Sequence, residues 1–332
     1  VFEITSRCIQ ARFLLTPGDE SNRRLLGVLG RAQELYGEHV RLHMVAGTSN
    51  HLHLLVSSRD SAWRARFKAH LKTNISKELG DLHGWSEHLF GRRARDIPVL
   101  DEEALLERVR YFLAHGVKEG LVARPEDWPG PPWVRALTEG KRLVGVWYRR
   151  TDYYNRARAW ARRKKPDGTP APKLADFGDE KEVTLAPLPN WSELSETERR
   201  GRFQRIVDQI HPPVTSGDAG GSQSNANVLG AAAILSQDPH HRPEWSKRTT
   251  APRVHATSDA ARFEWLEAYR SFVDRWRTGL ARLRGGDFLQ VLPAGGVLAP
   301  PVMALVEEQP RGANHLGRSG RVAGGLALAA GQ

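Results

Sequence analysis

One cysteine, Cys8, stands in 332 residues. A lone thiol has no intrachain partner, so a disulfide-stapled secreted scaffold is excluded, as is a zinc site built from several cysteines. Long apolar runs are scarce too. The stretch 228–235 is among the longest, far short of the ~18 residues a bilayer span needs, so no membrane crossing is expected. The chain opens on Val1, Phe2, Glu3, Ile4 and Thr5, which read as a strand rather than as a charged-then-apolar leader; with no initiator Met, a short preceding piece is expected. Acidic charge is in deficit. Against 38 Asp and Glu stand 49 Lys and Arg, a formal charge of +11 that suits phosphate backbones and makes nucleic acid the first partner to test. What is present, 40% hydrophobic and 26% charged residues, fits a soluble globular protein in a reducing, cytoplasmic setting.

Residues 1–15 read as one or two strands closed by Thr16, Pro17 and Gly18. Leu25, Val28, Leu29, Ala32, Leu35 and Tyr36 then recur at helical spacing, with Gly37 placed as a C-terminal residue free to take positive φ. A hairpin follows, 40–46 and 51–56 about the turn 47–50. A second helix is expected from about Ser61 to Leu79, closed by Gly80, and a third begins at Asp101 as N-cap with the stripe Leu105, Leu106, Val109, Phe112 and Leu113. The order β-α-β-β-α-(β)-α predicts an α+β fold. Its form is a ferredoxin-like or RNA-recognition-motif-like antiparallel sheet with helices on one face, over residues 1–135, followed by a mainly helical C-terminal extension.

Beyond it, 136–215 reads as a basic, Pro-containing connecting region, 216–227 as a flexible linker, 228–301 as the helical extension and 302–332 as a disordered tail. Between 149 and 165 lie Arg149, Arg150, Arg156, Arg158, Arg162, Arg163, Lys164 and Lys165 against the single acid Asp152, interleaved with Tyr153, Tyr154 and Trp160. Such a segment can follow a phosphate backbone with rings free to stack, or be a solvated helix face.

His51 and His53 are two apart in a strand, so both imidazoles share a face, which makes half a metal site or a pair of ordinary strand histidines. Tyr111 lies roughly 160° from the core stripe of the third helix, with His115 about 40° and Arg108 about 60° from it on either flank. A tyrosine, a histidine and an arginine therefore share a face that the helix does not use for its own core.

The run 4–8, the phrase 49–56 containing His51-Leu52-His53, and the phrase 111–122 beginning Tyr111-Phe112-Leu113-Ala114-His115-Gly116, followed by Asp127-Trp128-Pro129, resemble the single-tyrosine HUH transposases, and among them the REP-associated tyrosine transposases. The likeness covers about residues 1–133 and continues more loosely from 228 to 301, at Gln237-Asp238-Pro239 and Leu292-Pro293-Ala294-Gly295. It implies the α+β sandwich, with His51 and His53 as metal ligands and Tyr111 as the nucleophile. The implied reaction is a metal-dependent cleavage and rejoining of single-stranded DNA beside a hairpin, with Mg²⁺ or Mn²⁺ as cofactor and a 5′-phosphotyrosine intermediate. Arg108 and the basic run are the candidate DNA contacts. Close relatives carry Asn-Pro where this chain has His115-Gly116, so His115 is expected as a third ligand. A catalytically inactive hairpin-binding protein of the same ancestry is the alternative; monomer and homodimer stay open.

Overall fold

The computed structural model describes residues 1–162, 170–210, 228–244 and 252–284. Four strands form an antiparallel sheet in the order β2 (Arg41–Thr48), β3 (His51–Ser57), β1 (Phe2–Arg7), β4 (Arg95–Pro98). This is the ferredoxin-like sheet expected from the alternation. In β1, Phe2 and Ile4 enter the core under α1 (Asp19–Tyr36) and α2 (Ser61–His83), meeting Leu52, Leu54, Leu29, Phe67 and Ile75. Period two sends Glu3 and Thr5 to the opposite face. There α3 (Glu102–Leu113) lays Leu105, Val109 and Phe112 on Met44, Ala46 and Leu55, and α6 (Glu196–Val207) adds Phe203 and Val207. Helices thus cover both faces of the sheet where the sequence pattern predicts cover on one, because Met44, Ala46 and Leu55 give the histidine face an apolar surface of its own. The register sets Thr5 beside His53 and Arg7 beside His51.

Two helix ends differ from expectation. Gly37 keeps a right-handed φ of −61° and simply closes α1 by donating its N–H to Gln33. Gly80 lies inside α2, which continues one turn to His83 and stops at the left-handed Gly84, φ 64°. The chain needs a small residue at 80 for another reason: a Cβ there would sit 2.7 Å from the Trp85 carbonyl oxygen. The first strand is also shorter than expected, ending at Arg7 before a 3₁₀ turn at Ile9–Ala11.

The connecting region does more than connect. After the short α4 (Trp133–Thr138), β5 (Leu143–Tyr148) pairs with β6 (Gly178–Val183) and this ribbon packs across α1. Helix and strand approach through glycine on both sides, since a Cβ on Gly27 would lie 2.0 Å from the Val146 carbonyl oxygen and one on Gly145 would lie 2.3 Å from the Gly27 nitrogen. Leu143 and Val183 enter the same core as Ile4 and Leu54, so the ribbon completes the hydrophobic interior of the N-terminal unit.

α5 (Arg150–Ala161) buries none of its residues. In the C-terminal extension, α7 (Ala231–Leu235) inserts Ile234 between Val117 and Val122, and α8 (Asp259–Arg284) is the expected helix but on a different face. Helical spacing predicts the stripe Phe263, Leu266, Tyr269, Val273, Trp276 and Leu280 inward, whereas Trp265 and Phe272 are the buried residues and Phe263 is exposed. The expected linker 216–227, the tail 302–332, residues 285–301 of the extension, and Arg163, Lys164 and Lys165 lie outside the described residues. Among the described residues no helix is long and apolar enough to cross a membrane.

Candidate metal centre

His51 and His53 project from β3 toward α3, as the two-residue spacing requires. α3 is capped by the Asp101 carboxylate, which accepts from Ala104 N–H at 2.7 Å and fixes where the helix starts. Helical geometry stops at Leu113, so His115 is carried just past the helix end rather than on it, in a turn where Gly116 takes φ +95°. The three imidazoles converge: ring centroids are 5.0 Å apart for His51 and His53, 4.8 Å for His51 and His115, and 5.0 Å for His53 and His115. One nitrogen from each falls within 4.8 Å of the other two. Tyr111 stands next to them, its ring 5.5 Å from His53 and 5.7 Å from His115.

The hydrogen bonds choose which nitrogens are available. His53 Nδ1 donates to Glu3 Oε1 at 2.7 Å, because a carboxylate only accepts. His51 Nδ1 likewise donates to Asn50 Oδ1 at 2.6 Å, with Thr48 Oγ1 2.8 Å away. Each of these rings keeps its Nε2 lone pair for something else. His53 Nε2 is buried with no partner, and both nitrogens of His115 are buried without a hydrogen bond, the nearest charge being Glu119 Oε1 at 3.6 Å from Nδ1. Buried polar atoms rarely stay unsatisfied. Convergent imidazoles with orphan nitrogens fit a first-row divalent cation, and three histidines leave positions open for an added ligand. Burial, reinforced by the neighbouring histidine charges, holds the pKa of His51 and of His115 well below the usual histidine value, so both are neutral and able to ligate.

Glu3 and His255, beside the centre, stand outside the motifs that the sequence displays. Glu3 is the main one. Only 3% exposed, it accepts from His53, takes a 3.3 Å hydrogen bond from Thr5 Oγ1, and lies 3.7 Å from Arg108 Nη1 and 2.8 Å from His255 Nε2. Burial alone would raise its pKa, but the contacts and charges of His255 and His53 outweigh that and hold the carboxylate far below the ordinary range. The alternation of β1 already placed Glu3 on the histidine face; nothing local announced His255, more than 250 residues away. Lys118 sets its Nζ 3.5 Å from the centre of the Tyr111 ring, with the Arg108 guanidinium 4.8 Å from that ring centre.

The candidate DNA contacts fall into three groups. Arg108 belongs to the centre. Arg149 and Arg150 root α5, Arg149 on Asp179 and Asp152, Arg150 through two bonds of 2.7 and 2.8 Å to the buried Glu78. Glu78 belongs to α2, on the other side of the sheet from the histidines. Arg156, Arg158 and Arg162 are exposed along α5. The C-terminal extension touches the loops that carry the ligands: Ser49 donates to Gln237 Oε1 at 2.5 Å, and the Leu229 and Gly230 N–H groups donate to the Gly120 and Leu121 carbonyls. Comparison with protein-family models, with curated proteins and with solved structures finds no match.

Proposed function

We propose that the protein is a metal-dependent transposase that cleaves and rejoins single-stranded DNA beside a hairpin, with Tyr111 as nucleophile. The observation that carries this reading is the placing of a tyrosine against three convergent imidazoles, with two cations on its ring. Histidines alone would equally suit a hydrolase acting through water; the adjacent phenol favours transesterification.

A divalent cation held by His51, His53 and His115 would offset charge on a non-bridging oxygen of the scissile phosphodiester and ease departure of the 3′ oxygen. Three imidazoles suit Mn²⁺ or a softer first-row ion better than the hard Mg²⁺. Lys118 and Arg108 place positive charge beside Tyr111, where an approaching phosphate needs it. The phenolic oxygen of Tyr111 attacks phosphorus and gives up its proton, the bond from phosphorus to the 3′ oxygen breaks, and that oxygen takes up a proton. The 5′-phosphotyrosine keeps the energy of the broken bond, so a 3′ hydroxyl reverses the step without ATP. Arg158 and Arg162, with Tyr154, offer a basic and aromatic face of α5 along which single-stranded DNA can lie, and Arg156 adds charge from the opposite side of the helix.

The test is a Tyr111→Phe variant, which loses one oxygen and keeps the ring. Incubated with Mn²⁺ and a labelled hairpin carrying a single-stranded flank, the unaltered protein is expected to form a denaturation-resistant adduct and the variant none, while both bind the hairpin. An adduct on the Phe variant removes Tyr111 from the role. Binding without an adduct in the unaltered protein supports the inactive, hairpin-binding alternative.

A further inference from the structure

We propose that His255, from the C-terminal extension, is a positioning residue of the metal centre, holding the Glu3 carboxylate that in turn orients His53. The inference rests on the metal-centre reading of the histidine cluster and not on the cleavage reaction.

Glu3 has two oxygens with separate duties. Oε1 accepts from His53 Nδ1 at 2.7 Å and fixes both the tautomer and the ring plane that present Nε2 to the cluster. Oε2 and His255 Nε2 lie 2.8 Å apart, each buried and without an aligned hydrogen bond to any other group, and Arg108 Nη1 stands 3.7 Å from the same oxygen. A buried carboxylate anchored by one oxygen alone can turn about its terminal bonds. His255 closes that freedom.

The His255 backbone is itself fixed. Its N–H donates to the Pro98 carbonyl at 2.9 Å and its carbonyl accepts from Leu100 N–H at 3.0 Å, which adds the segment to β4 as a short parallel bridge beside Val99. Two residues on, Thr257 donates from its N–H (2.9 Å) and hydroxyl (2.8 Å) to the Asp101 carboxylate, the same group that caps α3. Val254 and Ala256 are buried on either side. One short segment is therefore tied to β4, to the start of the helix carrying Tyr111, and through its imidazole to Glu3. A distant part of the chain supplies the outer layer of a centre whose ligands all come from residues 51–115.

Groups that orient a ligating imidazole commonly change metal affinity by about 10- to 100-fold when removed. Titration calorimetry of the full chain with Mn²⁺, and absorption spectra with Co²⁺, read this without any DNA. His255→Ala is expected to weaken Mn²⁺ binding by about 10-fold or more and to alter the Co²⁺ visible bands. His255→Gln, which keeps a donor of similar reach, is expected to restore most of the affinity. His240→Ala, in the same extension but bound to the His83 carbonyl, should leave both readouts unchanged. Equal affinity and identical spectra for His255→Ala and the unaltered protein overturn the proposal. So does equal weakening by Ala and Gln at 255 in variants whose circular dichroism and melting match the parent. If the unaltered protein binds neither ion, the metal-centre reading itself has failed.

Discussion

His51 and His115 meet a metal ion from a different starting point than a histidine in water. An ordinary imidazole is half protonated near pH ~6.5 and competes poorly for cations below that value. The sequence alone predicts ligation failing there. Burial and neighbouring charge lower the pKa of both residues well below it, so their lone pairs persist in mildly acidic solution. A depressed histidine pKa keeps the ligating form of these two rings down to lower pH, and it is lost only as pH falls through the depressed value. The imidazole resonances of His51 and His115, followed by NMR between pH ~7.5 and ~5.5 in the metal-free protein, are therefore expected to show no titration step at ~6.5, and a midpoint there would show these two rings to be solvated. His115→Asn replaces a nitrogen ligand by a harder amide oxygen, so Mg²⁺ should gain relative to Mn²⁺. Unchanged titrations with both ions would place His115 outside the coordination shell.

Elements bring these side chains together, and glycines and caps decide where the elements lie. Gly27 on α1 faces β5 with no room for a methyl group, because the Val146 carbonyl occupies the position a Cβ would take. Gly27→Ala is expected to cost ~1–3 kcal/mol, read as a lower urea midpoint; a neutral result would mean that the ribbon slides aside without loss. Asp101 is the corresponding device on α3. Burial would raise its pKa, but hydrogen bonds from Ala104, Thr257 and Ser258 prevail and lower it. The stability it contributes is thus fully present above the unfolded aspartate range and is lost as pH falls through the depressed folded value. Asp101→Ala should cost ~1 kcal/mol at pH 7, with the gap to the parent closing at low pH. A gap independent of pH would show that the carboxylate charge is irrelevant. At the root of α5, Arg150→Ala removes both hydrogen bonds to the buried Glu78 carboxylate and leaves it Arg24 Nη1 at 3.7 Å, and should destabilise by ~3 kcal/mol. Arg156→Ala, Arg158→Ala and Arg162→Ala together should leave the melting temperature unchanged while flattening the dependence of DNA affinity on log salt by up to ~2 in slope. An unchanged slope would make α5 a merely solvated face.

At the scale of the whole molecule, the parts legible in the sequence are those written in local periodicity. Alternation in β1 and β3, the stripe of α3 and the Asp101 cap predicted the sheet, the face bearing His51 and His53, and the side of α3 bearing Tyr111. Contacts between distant segments were not legible. The β5–β6 ribbon lies in what reads as a basic, Pro-containing connecting region, and its place on α1 depends on glycines that in a linear reading look like weak points in a helix or a strand. Truncation near Val134, close to the end of the unit 1–135 expected from the sequence, would remove Leu143 and Val183 from that core and expose the glycine face of α1. His255 likewise looks like any surface histidine until its segment is paired with β4. The central claim is that one tyrosine in this assembled centre makes the covalent bond to DNA. Mass-spectrometric mapping of the DNA-linked peptide, after reaction of the full chain with Mn²⁺ and a hairpin bearing a single-stranded flank, tests it most directly. The account predicts a metal-dependent 5′-phosphotyrosine on the peptide containing Tyr111; linkage to Tyr153 or Tyr154, or cleavage with no protein-linked product, would contradict it.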